Sequence, residues 1–530
     1  MIRSLRTAAA ALAVLLLGTP LSAWAQARAV TGTVTSNIDG KAVAGVSVRL
    51  KGAVQATTTD AAGAYKIEIP AGSTEVLMFS HPEHDPIEKE LEGKSQLNVV
   101  MLSKMRINQY GVKTPRKPVN GEERGGFLVF ESPDQSYKFW FDVRVQTDAA
   151  VFFGKTPAAI GNGIALRRLR FATKSQFTPH WYGELDLDLA ESAVSLEDAY
   201  MMYSNDDFYL KIGNAKEVFS METNTTSRYL TFMERPVGTK ALVPSRRMGF
   251  STAKTFGGGF RGFGGVYFQD TGDNDVVVAR EDNNEATGRD EGYSLTGKLI
   301  WRKQNKDQSS GIHFGAATSY RTPKTDDVLG TMRFSARGVT YINRKKYVDT
   351  DRMKNVDYQT LNGIEGAAYY KNWRINGEYN TTTVNRLDTL SAAKFKGGFV
   401  MASVLLAGGH HLYNPEEGEF TQPVRGKAWG DLELAGRFEF VDLNDFNAGI
   451  KGGAGQITSV GMNWWVNNNV KFMLDYAYSN YDRYANGKGK FASGYDAAGN
   501  PTTNPQLIVA AKGKGGNDFH AIALRCEVNF

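Results

Sequence analysis

Three consecutive segments between residues 139 and 189 place charged side chains at alternate positions. In chain order, the charged positions are Asp142, Arg144, Arg168, Arg170, Lys174, Glu184, Asp186 and Asp188. In an extended strand every second side chain points to the same face of the sheet. A basic row therefore lies beside an acidic row. These rows could form cross-strand ion pairs, or their cations could attract anions, and the sequence leaves both interpretations open.

No residues with the spacing of a catalytic or metal centre accompany these rows. Residues 257–262 satisfy the glycine pattern of a nucleotide-binding loop, but no helix is predicted after them. His81 and His84 lie in a proline-rich loop, and the adjacent His410 and His411 would point apart in a strand or turn. We therefore predict no catalytic residue, no metal ligand and no cofactor, and we expect no nucleic-acid partner.

The composition narrows the classes of protein that could carry these charged rows. The chain has 530 residues, including 56 glycines, and its 62 basic and 56 acidic residues give a net charge of +6. After the first 25 residues no apolar run approaches the roughly 18 residues that a membrane-spanning helix needs. A transmembrane barrel stays compatible, because only every second residue of its strands faces lipid. With a single cysteine, Cys526, an intramolecular disulfide is excluded.

The first 25 residues have the three parts of a secretory signal peptide. Arg3 and Arg6 precede an apolar run over residues 8–17, and the small-x-small site Ala23-Trp24-Ala25 follows. We predict cleavage before Gln26 and export from the cytoplasm.

Residues 28–102 contain short alternating strands separated by turns, which is typical of a small β-sandwich. The stretches GTV, GKAVAGVSVRLKG, TTTDAAGAYKIEIPAG and LMFSHPEHDPIEKEL resemble the carboxypeptidase regulatory-like domain, which is often placed ahead of outer-membrane barrels. That resemblance implies a scaffold and no enzyme. Residues 103–136, with three prolines, several glycines and mixed charge, are predicted to be a linker.

Residues 137–530 contain seventeen segments of about ten residues with period-two alternation, as a transmembrane barrel requires. A single-chain bacterial barrel has an even number of strands, so the polar segment 333–341 is left out and sixteen remain. In the last segment Ile522, Leu524, Cys526, Val528 and Phe530 alternate with polar or small residues. The predicted fold is all-β: a sixteen-stranded antiparallel transmembrane barrel over residues 137–530, behind a small periplasmic β-sandwich.

Several motifs of the barrel region resemble the phosphate-selective porin O and P family. They are YKFWFDVRVQ at residues 137–146, LRRLR at 166–170, LEDAY at 196–200, LKIGNAK at 210–216, LTFMER at 230–235 and PSRRMG at 244–249. The resemblance implies a homotrimeric, sixteen-stranded, anion-selective barrel with loops folded into the pore. It also implies that basic side chains guide phosphate or polyphosphate.

The candidate pore-lining residues come from this resemblance and from the alternation of the strands. They are Arg144, Arg167, Arg168, Arg170, Lys174, Asp198 and Lys216. Some members of the family carry an arginine ladder, whereas here residues 256–268 contain only Arg261. This departure keeps a weakly selective porin open as an alternative.

We therefore predict an outer-membrane porin for passive diffusion of small anions, with phosphate or polyphosphate as the anions that the resemblance implies, and not an enzyme. An outer-membrane barrel enzyme with carboxylates at its loop rim is a further alternative. A TonB-dependent transporter is excluded, because residues 103–136 are too few to form a plug. The expected surroundings are outer-membrane lipid around the barrel and periplasm around the N-terminal domain, which could have a periplasmic partner.

Overall fold

The computed structural model describes residues 27–190, 194–268, 292–326, 329–343, 345–509 and 515–530. The predicted signal peptide lies outside the described residues. The chain forms two compact units, one ending at Pro118 and the other running from Val119 to Phe530.

The first unit contains two small sheets that share one hydrophobic core. Its strands are β1 (Arg28–Ser36), β2 (Ser47–Leu50), β3 (Ala56–Thr58), β4 (Ala64–Ile69), β5 (Val76–His81), β6 (His84–Glu90) and β7 (Val99–Met101). One sheet has the order β4-β1-β7 and the other the order β3-β2-β5-β6. Alternate residues such as Val34, Val48 and Phe79 are fully buried between the sheets. The alternating pattern of this segment thus forms the predicted sandwich.

The predicted linker, residues 103–136, contains two hairpins. Their strands are β8 (Met105–Ile107), β9 (Lys113–Pro115), β10 (Asn120–Arg124) and β11 (Phe127–Glu131). Between β10 and β11, Gly125 and Gly126 have φ angles of 59° and 99°, a conformation that favours glycine. The linker prediction rests in part on the glycines of this segment. In the structure, Gly125 and Gly126 form the turn of a hairpin.

The second unit is dominated by long strands. The strands that follow β11 are β12 (Lys138–Phe153), β13 (Gly163–Gln176), β14 (Trp181–Asp188), β15 (Ser195–Ser204), β16 (Phe208–Lys216), β17 (Arg246–Thr255), β18 (Phe260–Tyr267), β19 (Ser294–Gln304), β20 (Ser310–Arg321), β21 (Lys324–Asp326), β22 (Leu329–Thr331), β23 (Ser335–Arg337), β24 (Lys346–Asp349), β25 (Val356–Tyr370), β26 (Trp373–Arg386), β27 (Ala393–Leu405), β28 (Tyr413–Asn414), β29 (Glu419–Phe420), β30 (Asp431–Asp445), β31 (Ile450–Trp465), β32 (Val470–Tyr481), β33 (Gly494–Tyr495), β34 (Pro501–Thr502) and β35 (Asp518–Asn529).

Sixteen of these strands form a closed antiparallel barrel in chain order. They are β12 to β20, β25 to β27, β30 to β32 and β35, and β35 pairs with β12 to close the ring. Closure gives every strand a partner on both sides, which hydrocarbon surroundings require. The predicted strand number is confirmed. The omitted segment 333–341 contains only β23, which pairs with β24 outside the barrel sheet.

Alternation along the strands separates the inner and outer faces of the barrel. On β35, Arg525 and Glu527 are buried inside, whereas Ile522 and Leu524 are 41% and 51% exposed outside. This is the division predicted for the last strand. Among the described residues, no helix is both long enough and apolar enough to cross a membrane.

The two ends of the barrel differ in their connections. We call the end at which β12 begins and β35 ends the proximal end, and the opposite one the distal end. Proximal connections are short, for example residues 177–180 and 371–372, with the exception of residues 406–430. The distal connection 217–245, between β16 and β17, folds into the lumen and is termed the inward loop.

The edge of β12 that pairs with β35, here termed the closing seam, also pairs with β11. Asn529 of β35 pairs with Arg144 of β12, and toward the proximal end of β12 the partner becomes β11, with Val129 opposite Trp140 and Glu131 opposite Lys138. The β10–β11 hairpin therefore covers the edge of β12 that β35 leaves free.

The closing seam also contains a buried ion pair, between Arg525 and Asp148, with distances of 2.7 and 2.8 Å. Both side chains are at most 1% exposed. Removing one partner of a buried pair typically costs about 3–5 kcal/mol, because the other charge is left uncompensated. We expect Arg525→Met to lower the free energy of unfolding by that amount, measured by urea titration of tryptophan fluorescence in detergent. Lys394→Met, at an exposed barrel position, is the control, and equal stability of the two variants would contradict the prediction.

Candidate functional site

The inward loop crosses the lumen as a chain of short turns rather than as a regular element. It contains the helices Met221–Asn224 and Val237–Leu242 and a 3-10 turn over Ser227–Tyr229. The side chain of Ser220 caps the first helix by accepting a hydrogen bond from the Thr223 amide at 3.0 Å. Such short turns leave most of their peptide groups without internal partners.

Basic residues of the barrel wall donate to the carbonyl groups of the inward loop. Lys471 donates to the carbonyl of Leu230 at 2.8 Å, and Arg525 donates to that of Met233 at 2.7 Å. Arg437 donates to the carbonyl of Glu234 at 2.9 Å. The loop is therefore held by cations of β30, β32 and β35, strands that lie far from it in the sequence.

Acidic residues of the wall accept from amide groups of the same loop. Glu365 accepts from the Met221 amide at 2.8 Å, and Glu378 accepts from the Glu222 amide at 2.7 Å. Asp475 accepts from the Met233 amide at 2.9 Å. Backbone N–H groups and backbone C=O groups of the loop thus both have charged partners on the wall.

Arg167 holds a side chain of the loop through a bidentate contact. Its guanidinium donates to both carboxylate oxygens of Glu234, at 2.6 and 3.3 Å. Burial alone would raise the pKa of Glu234, but the charge of Arg167 outweighs it and holds this pKa well below the usual range. Arg167 points inward like its neighbour Arg168 because the register of β12 and β13 shifts between Gln146 and Thr147.

Three of the predicted residues lie in cross-strand ion pairs. Arg170 contacts Glu197 at 2.7 Å and Asp188 at 3.2 Å. Lys174 contacts Asp142 at 3.0 Å and Glu184 at 3.4 Å. Asp198 accepts two hydrogen bonds from Arg246, at 2.7 and 3.0 Å. For these residues the ion-pair interpretation of the charged rows is correct.

A cluster of carboxylates offers a possible place for a cation. Oxygen atoms of Glu184, Asp186 and Asp198 lie within 4.8 Å of one another. Lys174 contacts Glu184 at 3.4 Å, and Arg246 holds Asp198. Because basic side chains already balance this cluster, it is part of the ion-pair network of the wall.

Four other cations differ from these, because within the described residues none has a carboxylate at ion-pair distance. Arg144 donates to the Ser227 hydroxyl at 2.7 Å, and Lys216 donates to the Asn224 carbonyl at 2.6 Å. Arg235 donates to the Glu222 carbonyl at 2.8 Å, and Lys211 lies over the Tyr200 ring, 4.5 Å from its centre. Their positive charges therefore lack a paired negative charge in the described structure.

These four cations line one cavity between the wall and the inward loop, with a volume of about 300 Å³. Of the seven predicted residues, five line it: Arg144 and Lys216 from this set of four, and in addition Arg170, Lys174 and Asp198. Arg167 and Arg168 do not, because Arg167 binds Glu234 and Arg168 donates to Gln146 at 2.7 Å.

The sequence prediction missed five charged residues of this cavity. They are Lys211, Arg235, Arg246, Glu417 and Glu419. Arg235 and Arg246 belong to motifs already quoted above, and alternation on β16 could have identified Lys211. Glu417 and Glu419 lie in the proximal connection 406–430, whose sequence gives no sign that it enters the lumen.

Comparison with known proteins agrees with this architecture. The family model described as phosphate-selective porin O and P matches residues 139–498. The model of the CarboxypepD_reg-like domain matches residues 30–112. An uncharacterized protein of Caulobacter vibrioides is 26% identical over 376 residues, which cover 69% of this chain and 74% of that protein.

Solved porin structures are also similar to this chain. An anion-selective porin from Comamonas acidovorans has 12% identity and a TM-score of 0.43, over 74% of this chain and 100% of the porin. The outer membrane channel DcaP of Acinetobacter baumannii has 12% identity and a TM-score of 0.44, over 76% and 99% of the two chains. On the match of the family model over most of the barrel, the chain belongs to the phosphate-selective porin O and P family of outer-membrane porins, with a carboxypeptidase regulatory-like domain ahead of its barrel.

Proposed function

We propose that this porin is a passive pathway for small anions, and that the cavity beside the inward loop is its selective constriction. The observation that carries the proposal is the set of four cations without a carboxylate partner among the described residues, Arg144, Lys211, Lys216 and Arg235. Fixed cations raise the local concentration of anions. Contacts through single charges stay weak enough for release, as conduction requires.

Phosphate is the solute that the family resemblance suggests, and the hydrogen-bond donors of the cavity are compatible with phosphate oxygens. Guanidinium and ammonium groups offer several N–H donors to phosphate oxygens. Arg144, Lys216 and Arg235 supply such donors from the wall and from the loop.

A weakly selective anion pathway is the second candidate, favoured by the position of Arg261. This side chain is 5% exposed and lies 2.6 Å from a carboxylate oxygen of Glu416. Arg302 contacts the same carboxylate at 3.5 Å. The charges of both arginines are therefore balanced by Glu416, and the two residues do not extend the row of unpaired cations beyond the cavity.

We propose that the proximal end of the barrel faces the periplasm, and that the sandwich domain is located in the periplasm. Short connections at this end are typical of the periplasmic side of bacterial barrels. A homotrimer in outer-membrane lipid, and a periplasmic partner for the sandwich domain, are further proposals that follow from the resemblance.

The first functional prediction concerns charge selectivity. In planar bilayers with a KCl gradient, we expect a reversal potential whose sign shows that the channel is more permeable to chloride than to potassium. At about 4 Å in water one charge contributes about 1 kcal/mol, or roughly fivefold in ion preference. The triple variant Arg144→Gln, Lys216→Gln, Arg235→Gln should therefore lower the chloride-to-potassium permeability ratio more than tenfold.

Lys303→Gln is the matched control, because this lysine is exposed on β19 and does not line the cavity. Its permeability ratio should equal that of the parent chain. A cation-selective parent channel would overturn the anion pathway. Added phosphate should reduce the chloride current, and an unchanged current would leave the weakly selective pathway in place of the phosphate one.

The second functional prediction concerns the anchor of the inward loop. Arg167→Met leaves the buried Glu234 carboxylate without its bidentate partner, a change that typically costs about 3–5 kcal/mol in a buried pair. We expect the loop to leave its position, so that single-channel current becomes larger and noisier. Arg333→Met, which breaks the pair with Asp349 in another connection, should leave single-channel current as it is. Identical traces from both variants would contradict the anchoring role.

A further inference from the structure

The proximal connection 406–430 enters the lumen from the end opposite to the inward loop. Its inner part is the hairpin β28–β29, termed the inner hairpin, over residues 411–420. Gly418, with a φ of 71°, lies so close to the wall that an added Cβ atom would be 3.0 Å from Ile300 and 3.6 Å from His313. Tyr413 and Phe420 of this hairpin share a buried apolar cluster with Met221 of the inward loop.

Three contacts with the wall fix the inner hairpin. The hydroxyl of Tyr413 lies 2.6 Å from Nδ1 of His313. Glu416 pairs with Arg261 on β18, and the guanidinium of Arg374 lies over the Phe420 ring, 4.5 Å from its centre. Because the contacts come from separate strands, the hairpin has one specified position inside the barrel.

This position brings Glu417 and Glu419 into the same cavity as the four cations that lack a carboxylate partner in the described structure. Within the described part of the chain, neither carboxylate has a basic group at ion-pair distance. Burial, together with the neighbouring Glu417, raises the pKa of Glu419 to about 8, although Lys216 and Arg235 oppose the shift. Glu417 is exposed and lines the same cavity.

The cavity therefore has two poles of opposite charge. Lys216, Arg235 and Arg144 supply the positive pole from the wall and the inward loop, and the inner hairpin supplies the negative pole. A simple anion is attracted by the positive pole and repelled by the negative pole. A molecule with an anionic group at one end and an ammonium group at the other is attracted by both poles.

We propose that the inner hairpin is a second filter, and that Glu417 and Glu419 make the constriction prefer small zwitterions of the amino-acid type over simple anions of the same size. This inference rests on the proposed anion pathway and names the class of solute that it favours. The anionic group of the solute binds at the cations, and its ammonium group donates to carboxyl oxygens of Glu417 and Glu419.

The test compares β-alanine with propionate, which has the same carbon skeleton without the amine. With the full chain in planar bilayers, the half-blocking concentration of each solute is measured from the KCl current. We expect β-alanine to block at a concentration about fivefold or more below that of propionate, the factor given by one ion pair in water. In the double variant Glu417→Gln, Glu419→Gln the two values should become equal.

Asp388→Asn is the control for loss of a carboxylate outside the cavity, and it should keep the preference for β-alanine. Equal block by both solutes in the parent chain overturns the inference, as does a preference that persists in the double variant. In either case an anion-selective KCl current leaves the proposed pathway intact. A cation-selective current, or no current, overturns the pathway itself.

Discussion

An irregular chain inside a barrel has peptide groups without a sheet partner, and those that water does not reach need side chains from the wall. The inward loop of this porin meets the requirement with charged residues. Lys471, Arg437 and Arg525 donate to its carbonyl groups, and Glu365 and Glu378 accept from its amides. The position of the loop, and with it the shape of the constriction, depends on these wall charges.

The same requirement divides the basic residues of the lumen into three groups. One group holds loop carbonyls, and a second, including Arg170 and Lys174, balances carboxylates of neighbouring strands. The third group, which includes Arg144 and Lys216, lines the cavity without a carboxylate at ion-pair distance in the described structure, although Lys216 also holds a loop carbonyl. A count of lumen arginines therefore overstates the positive potential that a solute meets.

The barrel was predictable from the sequence because its signal is repeated in every strand. Alternation identified seventeen segments, the even strand number of bacterial barrels reduced them to the observed sixteen, and the inward positions of Arg144 and Arg170 followed from the alternation. Local departures from alternation were less accessible. The register shift beside Thr147 turns two adjacent arginines into the lumen, which a period of two does not allow.

The inner hairpin was not predictable for a different reason. Its anchors join residues that are far apart in the chain, such as Tyr413 with His313 and Glu416 with Arg261. No local pattern encodes such pairs, and a long polar connection has the same composition inside the lumen as outside it. The negative pole of the cavity, Glu417 and Glu419, was therefore visible only in three dimensions.

The β10–β11 hairpin has a consequence for how the ring closes. β35 and β11 use the same edge of β12, and only a few residues separate the Arg144–Asn529 pair from the Trp140–Val129 pair. If β35 slid toward the start of β12, it would collide with β11. The hairpin thus leaves β35 no room to shift toward the start of β12, so the stagger between the first and last strands of the ring has a limit in that direction.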